Sequence, residues 1–215
     1  MSLAEWITGA GRNREQAIEQ LAFERNMDYQ QSAERAQFDQ LGEFRLFRKG
    51  RRHKFYNVLS FRRDGTRYCV FDFNYTIQRG NSRRTLRQSV FYADSFALSL
   101  PEFRQKPETF LDRLMELIGM KDIDFADFEN YSSRYRLEGP FEKVIRHYFS
   151  KEILDLLSGQ KEMSMEGLNY YFLLYPHSKR IAVSELNTFI DLGIMITELF
   201  QLQSDRAKQL LGLPE

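Results

Sequence analysis

Apolar positions are sparse at the start of the chain and recur at helical spacing. Ala17, Ile18, Leu21 and Ala22 form a narrow stripe, and Asn26 suits a left-handed cap. A second polar helix is predicted over 30–41, ended by Gly42. From there the hydrophobic period falls from about 3.6 to 2. GEFRLFRKG, HKFYNVLSFRRDG, TRYCVFDFNYTIQRGN and RTLRQSVFYADS are four alternating runs, separated at Gly50, Asp64-Gly65 and Gly80-Asn81. Asp-Gly between alternating runs is a strong hairpin signal, because both turn positions take positive φ. These runs predict a four-stranded antiparallel meander.

The second half reads as helix–strand–helix–hairpin–helix. Pro107 suits the first turn of a helix whose buried face is Phe110, Leu111, Leu114, Leu117 and Ile118, with Gly119 as its stop. DIDF and SSRYRLEG look extended. After Gly139-Pro140 a helix carries Phe141, Val144, Ile145, Tyr148 and Phe149 on one side, and Gly159 ends its continuation. GLNYYFLLY reads as one buried strand that PHSK turns into RIAVS. Ser184 then caps a long helix, apolar at Leu186, Phe189, Ile190, Gly193, Ile196, Leu199 and Phe200. Strands and helices come in blocks, so the fold class is α+β rather than an alternating βαβ fold. The reading divides the chain into a helical segment, 1–42, and one α+β domain, 43–215, with a soft sub-boundary near 100.

Composition adds exclusions. In 215 residues, 19 Phe and 11 Tyr promise an aromatic core. No apolar run reaches the ~18 residues a membrane helix needs, and the N-terminal residues lack the apolar core of a signal peptide. A single cysteine, Cys69, rules out an internal disulfide and a cysteine-built zinc site. Cytoplasmic residence is the expectation.

Net charge is +1, but it is divided unevenly. Residues 45–87 carry 13 Lys/Arg against Asp64 and Asp72, a balance of +11. The rest of the chain, with 18 basic and 28 acidic residues, carries −10. In a meander the first and third turns lie at one end of the sheet. Arg48, Lys49, Arg51, Arg52 and Lys54 at the first turn should therefore converge with Arg79, Arg83 and Arg84 at the third. Arg62, Arg63 and Arg67 belong at the opposite end. Such a rim attracts an anionic membrane surface or an acidic protein segment. Its plain alternatives are edge solubility and a match to the acidic remainder of the chain. Nucleic acid is disfavoured by the near-zero net charge and the lack of an RNP-like aromatic motif.

YCVFDFNYTI places Cys69, Phe71, Phe73, Tyr75 and Ile77 on one strand face and Tyr68, Val70, Asp72, Asn74 and Thr76 on the other. The second face reads as a wet surface on which Asp72 anchors a cross-strand cation, with Arg62, Arg67 or Arg87 as its neighbour. The competing reading is a metal-dependent hydrolase centred on Asp72 and Asn74, or on Asp122 and Asp124 of KDIDFADFEN, where two close carboxylates would hold Mg²⁺ or raise one pKa. Against it, the calcium-loop glycine is missing. His53, His147 and His177 have no ligand spacing, and Cys69 has the parity of a core thiol. Gly9-Ala10-Gly11 lacks a third glycine, with Arg14 in its place. No cofactor or metal is expected, and the reading leans against an enzyme. Leu199, Phe200, Leu202, Leu210 and Leu211 give the last helix a wide apolar face, which would bury the second sheet or form a homodimer.

Several of these motifs carry a resemblance. Phe44, Leu46 and Phe47; Asn57, Val58 and Leu59; Phe71, Asp72, Phe73 and Tyr75; and Gln88 resemble the F-x-L-F, N-V-L, F-D-Y-x-Y and Gln pattern of an uncharacterised bacterial family of unknown function. LPEF, DIDF and YSSRYRLEG follow in that family's order, so the resemblance spans about 21–200. It implies no activity and no site residue. Some relatives carry N-terminal membrane helices ahead of this domain; none is present in this sequence. Three roles stay open: a binding or scaffolding module, a metal-dependent hydrolase, and a structural subunit of a homo-oligomer.

Overall fold

The computed structural model describes residues 3–108, 122–160 and 162–211. The predicted helix over 107–119 falls almost wholly outside them. The chain is α+β and divides into two compact units: Met1–Phe91 with Ser178–Asp191, and Tyr92–His177 with Leu192–Glu215.

The first unit opens with helix α1, Leu3–Glu24. Its buried stripe is Ile18, Leu21 and Ala22, while Ala17 is exposed. The Gly9–Gly11 stretch lies inside this helix, so it forms no phosphate loop. The predicted second helix is instead strand β1, Asp28–Ala33, followed by a 3-10 helix, Arg35–Glu43. DYQQSA carries almost no apolar signal because β1 is a mostly exposed strand that, among the described residues, pairs on one side alone, with β2. GEFRLFRKG is not a strand either. Phe38, Leu41, Phe44 and Phe47 are all buried and recur every three residues, the period of a 3-10 turn. The bonds Phe44 N–H to Leu41 O and Phe47 N–H to Phe44 O follow that period.

The meander itself stands as predicted from its second run onward: β2 Arg51–Arg63, β3 Thr66–Arg79 and β4 Ser82–Asp94, in the order β1-β2-β3-β4. Asp64 and Gly65 both have positive φ, as a two-residue hairpin requires. Beneath the sheet, Phe38 of the 3-10 helix and Phe47 of the turn that follows it meet Phe55, Phe71 and Phe73, with ring centroids 4.5–6.4 Å apart. Cys69 is buried on this face, as its parity predicts. The opposite face of β3 is not wet. Tyr68, Val70 and Asp72 are buried as well; the Tyr68 ring meets Phe91 at a tilt, and Phe91 meets Phe189 of the C-terminal helix edge to face.

In the second unit, Leu100–Pro107 is strand β5, and Pro107 pairs with Tyr135 rather than opening a helix. A short helix, α2 (Glu129–Ser132), precedes β6, Tyr135–Glu138. The helix after Gly139-Pro140 breaks at Phe149-Ser150 into α3, Glu142–Tyr148, and α4, Lys151–Ser158. Ile145, Tyr148 and Phe149 are buried, but Phe141 and Val144 are exposed. GLNYYFLLY is the turn and second arm of a hairpin: β7, Met163–Asn169, and β8, Tyr171–Pro176, meet at Asn169, whose φ is +52°. RIAVS is no strand and leads directly into α5, Val183–Leu211. Strand order here is β8-β7-β5-β6. Phe103, Phe149, Phe172 and Phe200 form its aromatic core. Phe200 is therefore core, whereas Leu202 and Leu210 are exposed.

Candidate functional site

Two β-bulges in β2 decide where the polar side chains of the first unit point. Phe55 pairs with Phe73 and Tyr56 with Asp72, but the next pair is Leu59 with Val70. Asn57 and Val58 thus oppose Phe71 alone, and Asn57 takes φ +51°. An inserted residue re-aims its side chain. Asn57 Nδ2 donates to Asp72 Oδ2 at 3.0 Å, and Asn57 Oδ1 accepts from the Tyr29 hydroxyl at 3.2 Å.

Asp72 has other partners too. Arg14 of α1 grips it with two nitrogens, Nε to Oδ2 at 2.8 Å and Nη2 to Oδ1 at 2.9 Å. Ser89 Oγ donates to Oδ1 at 3.0 Å, and Arg180 Nη1 lies 3.8 Å from Oδ2. Arg14 also donates to Ile181 O at 2.7 Å, while Ile181 N–H donates to Ser89 Oγ at 3.0 Å. A carboxylate accepts about four hydrogen bonds, and Asp72 accepts four. No lone pair is left for a metal or a substrate proton. Its cations among the described residues are Arg14 and, at longer range, Arg180, both far off in sequence, rather than Arg62, Arg67 or Arg87. Arg62 and Arg67 face one another across β2 and β3, and Arg67 lies over the Phe38 ring. Asn74 stands apart from this cluster; its Oδ1 is buried without a hydrogen-bond partner.

The second bulge lies at the start of β2. Arg51 pairs with Thr76 and Lys54 with Asn74, so Arg52 and His53 oppose Tyr75, and Arg52 takes φ +58°. Gly50 is pressed against β3: a Cβ there would lie 2.5 Å from Thr76 O and 2.9 Å from Tyr75 Cδ2. This packing brings the chain at 50–52 beside the β3–β4 hairpin. Gly50, Arg51, Arg52, Thr76, Gln78, Gly80 and Arg83 line one cavity of about 610 Å³. Arg51, Arg52 and Arg83 are exposed, and among the described residues no carboxylate forms an ion pair with them.

The remaining predicted cations divide. Arg84 is exposed on β4 beyond Arg83. Arg48 Nε donates to Gly42 O at 3.3 Å, and Lys49 O lies 2.9 Å from His53 Nε2. Lys54 faces solvent. Arg79 ends β3, and its side chain lies outside the described residues.

In the second unit Asp122 and Asp124 do not form a metal pair. Asp122 Oδ1 accepts the N–H groups of Ile123 (2.7 Å) and Leu137 (2.8 Å), tying the connector to β6. Burial is the main cause that pushes its pKa up to about 7; the Leu137 hydrogen bond opposes this, and Asp124 adds to it. Asp124 is exposed, and its backbone carbonyl accepts from Arg146. Among the described residues no group of His, Cys, Asp and Glu is arranged to hold a metal ion.

Sequence reasoning missed Arg14 and a buried polar cluster in the second unit. Arg104 of β5 stands between Glu138 of β6 and Glu166 of β7 in register. Its Nη1 donates to Glu138 Oε1 at 3.2 Å. Tyr175 donates to Glu166 Oε1 at 2.6 Å, and Arg136, 2% exposed, lies near Glu138. Burial, then the Glu166 charge, holds the Tyr175 hydroxyl well above its ordinary pKa. For Arg14 a signal was present: with Ile18, Leu21 and Ala22 it lies at helical spacing on the inward stripe of α1.

No family model matches the chain, and no curated protein matches it. A solved structure does: that of the mycobacterial trehalose monomycolate transport factor A, TtfA, with a TM-score of 0.54 and 11% sequence identity, over 88% of this chain and 93% of that one. At that identity the likeness is one of fold. No described helix is long and apolar enough to cross a membrane.

Proposed function

We propose that this chain is a non-catalytic binding module that docks the basic end of its first unit on an anionic lipid surface at the cytoplasmic face of a membrane. The observation that carries the reading is the arrangement of Arg51, Arg52 and Arg83 around one cavity without an acidic partner among the described residues. Cations spaced for solubility alone need not converge, and cations matched to the acidic remainder of the chain would be found in ion pairs. The hydrolase alternative loses support because both oxygens of Asp72 are taken by four hydrogen bonds and Asp122 Oδ1 is held by two backbone N–H groups. The structural neighbour is by its title a transport factor for trehalose monomycolate. That description is compatible with a module that binds rather than converts.

Co-sedimentation with anionic and neutral vesicles tests the reading. Binding should be selective for anionic vesicles and weaken between ~20 and ~150 mM salt, as screening shortens the reach of surface charge. Each basic residue near a membrane surface contributes about 1 kcal/mol. Reversing Arg51, Arg52 and Arg83 to Glu should therefore lower affinity by about two orders of magnitude or more. Absence of binding at ~20 mM salt overturns the proposal.

A further inference from the structure

Resting on that reading, the geometry points to a narrower ligand: the cavity between Gly50 and Gly80 takes the terminal phosphate of a lipid headgroup, a phosphomonoester dianion. A flat basic surface would meet any acidic membrane equally. This one is recessed, with about 610 Å³ of space, within the range of small-ligand sites. A phosphodiester carries a substituent on each side and a single negative charge, so it fits a basic recess less well. A phosphomonoester is terminal and presents its oxygens unobstructed. It also presents three oxygens and close to two negative charges, against three guanidinium forks whose planar donors suit phosphate.

The neutral lining fits the same group. Thr76 and Gln78 stand on one face of β3, between the arginines of β2 and Arg83 of β4. The Gln78 amide nitrogen donates to Gly80 O at 3.3 Å, which fixes that side chain against the hairpin. Thr76 Oγ1 lies 3.3 Å from Thr85 Oγ1. The backbone is specialised here as well. Arg52 holds a left-handed conformation that a non-glycine residue adopts at a cost, and the bulge it forms turns consecutive residues, Arg51 and Arg52, toward one space.

The test compares vesicles of equal surface charge, one set containing phosphatidic acid and the other phosphatidylglycerol, at ~150 mM salt. Phosphatidic acid should bind about tenfold more tightly, the worth of one additional charge-assisted hydrogen bond. Arg83→Gln and Arg52→Gln should each bring that ratio toward one and weaken binding to both lipids about fivefold, the loss of one surface cation. Replacing chloride by inorganic phosphate at constant ionic strength should erase the preference. Equal binding of the two lipids by the wild type overturns the phosphate site and leaves a general anionic surface. Binding to neither overturns both readings. A preference unchanged by inorganic phosphate assigns it to lipid packing and also overturns the site.

Discussion

Arg14 and Asp72 form a two-pronged ion pair at 2.8 and 2.9 Å, joining the N-terminal helix to the middle of a central strand. Both side chains are shielded, at 12% and 4% exposure. Removing one partner of a shielded pair strands the other charge, which costs about 3–5 kcal/mol. Asp72→Ala should destabilise the protein by that amount in urea unfolding. Arg14→Met in the Asp72→Asn background should recover part of the loss. If Asp72→Ala changes stability by less than about 1 kcal/mol, the pair is not the clasp described here.

Asn57 tests the bulge. Its side chain links Tyr29 to Asp72, and its backbone is left-handed. Asn57→Ala loses the hydrogen bonds and puts alanine, which tolerates the left-handed region less well than asparagine, at φ +51°, for a combined cost of about 2–4 kcal/mol. Asn57→Gly loses the bonds but relieves the backbone, so it should be the milder change by about 1 kcal/mol. Equal losses would mean that the backbone conformation contributes nothing.

How much of this was legible in the sequence depends on the range of each interaction. The strands after Gly50 and the Asp64-Gly65 turn were readable because alternation and positive φ are local properties. The first strand was not, since DYQQSA is an exposed edge with no apolar face to betray it. Phe44, Leu46 and Phe47 imitate alternation, and the three-residue period appears only when Phe38 and Leu41 are added. The convergence of Arg51, Arg52 and Arg83 followed from meander geometry. The partner of Asp72 could not, because a carboxylate on an even-numbered strand position looks the same whether it meets solvent or a helix 58 residues away.

Asp122 gives a pH signature. Its folded pKa of about 7 lies above the ~3.9 of an unfolded aspartate. The folded state therefore holds a proton that the unfolded state has released. The resulting stabilisation is fully present below about pH 4 and is lost as pH rises through about 7. Asp122→Asn keeps the Oδ1 acceptor and should flatten that part of the stability profile. An unchanged slope between pH 4 and 7 would remove Asp122 as its source.

Gly167 of β7 lies against the face of Phe103, where any Cβ would overlap the ring. Phe103 is held by Phe149 and Phe200 and has little freedom to retreat. Gly167→Ala should cost about 1–3 kcal/mol by overpacking, and Phe103→Leu in the same background should restore part of it. Thermal unfolding of the wild type and the two variants decides this.

The central claim is that the position of the charge matters, not its sum. The most direct measurement is binding to anionic vesicles by two charge-reversal variants: Arg51/Arg52/Arg83→Glu at the cavity end of the sheet, and Arg62/Arg63/Arg67→Glu at the Asp64-Gly65 end. Both remove the same formal charge from the same basic stretch. The first should abolish salt-sensitive binding and the second should leave it within about threefold of wild type, an effect of under 1 kcal/mol. Equal losses in the two variants would contradict the central claim and reduce the basic rim to net charge alone.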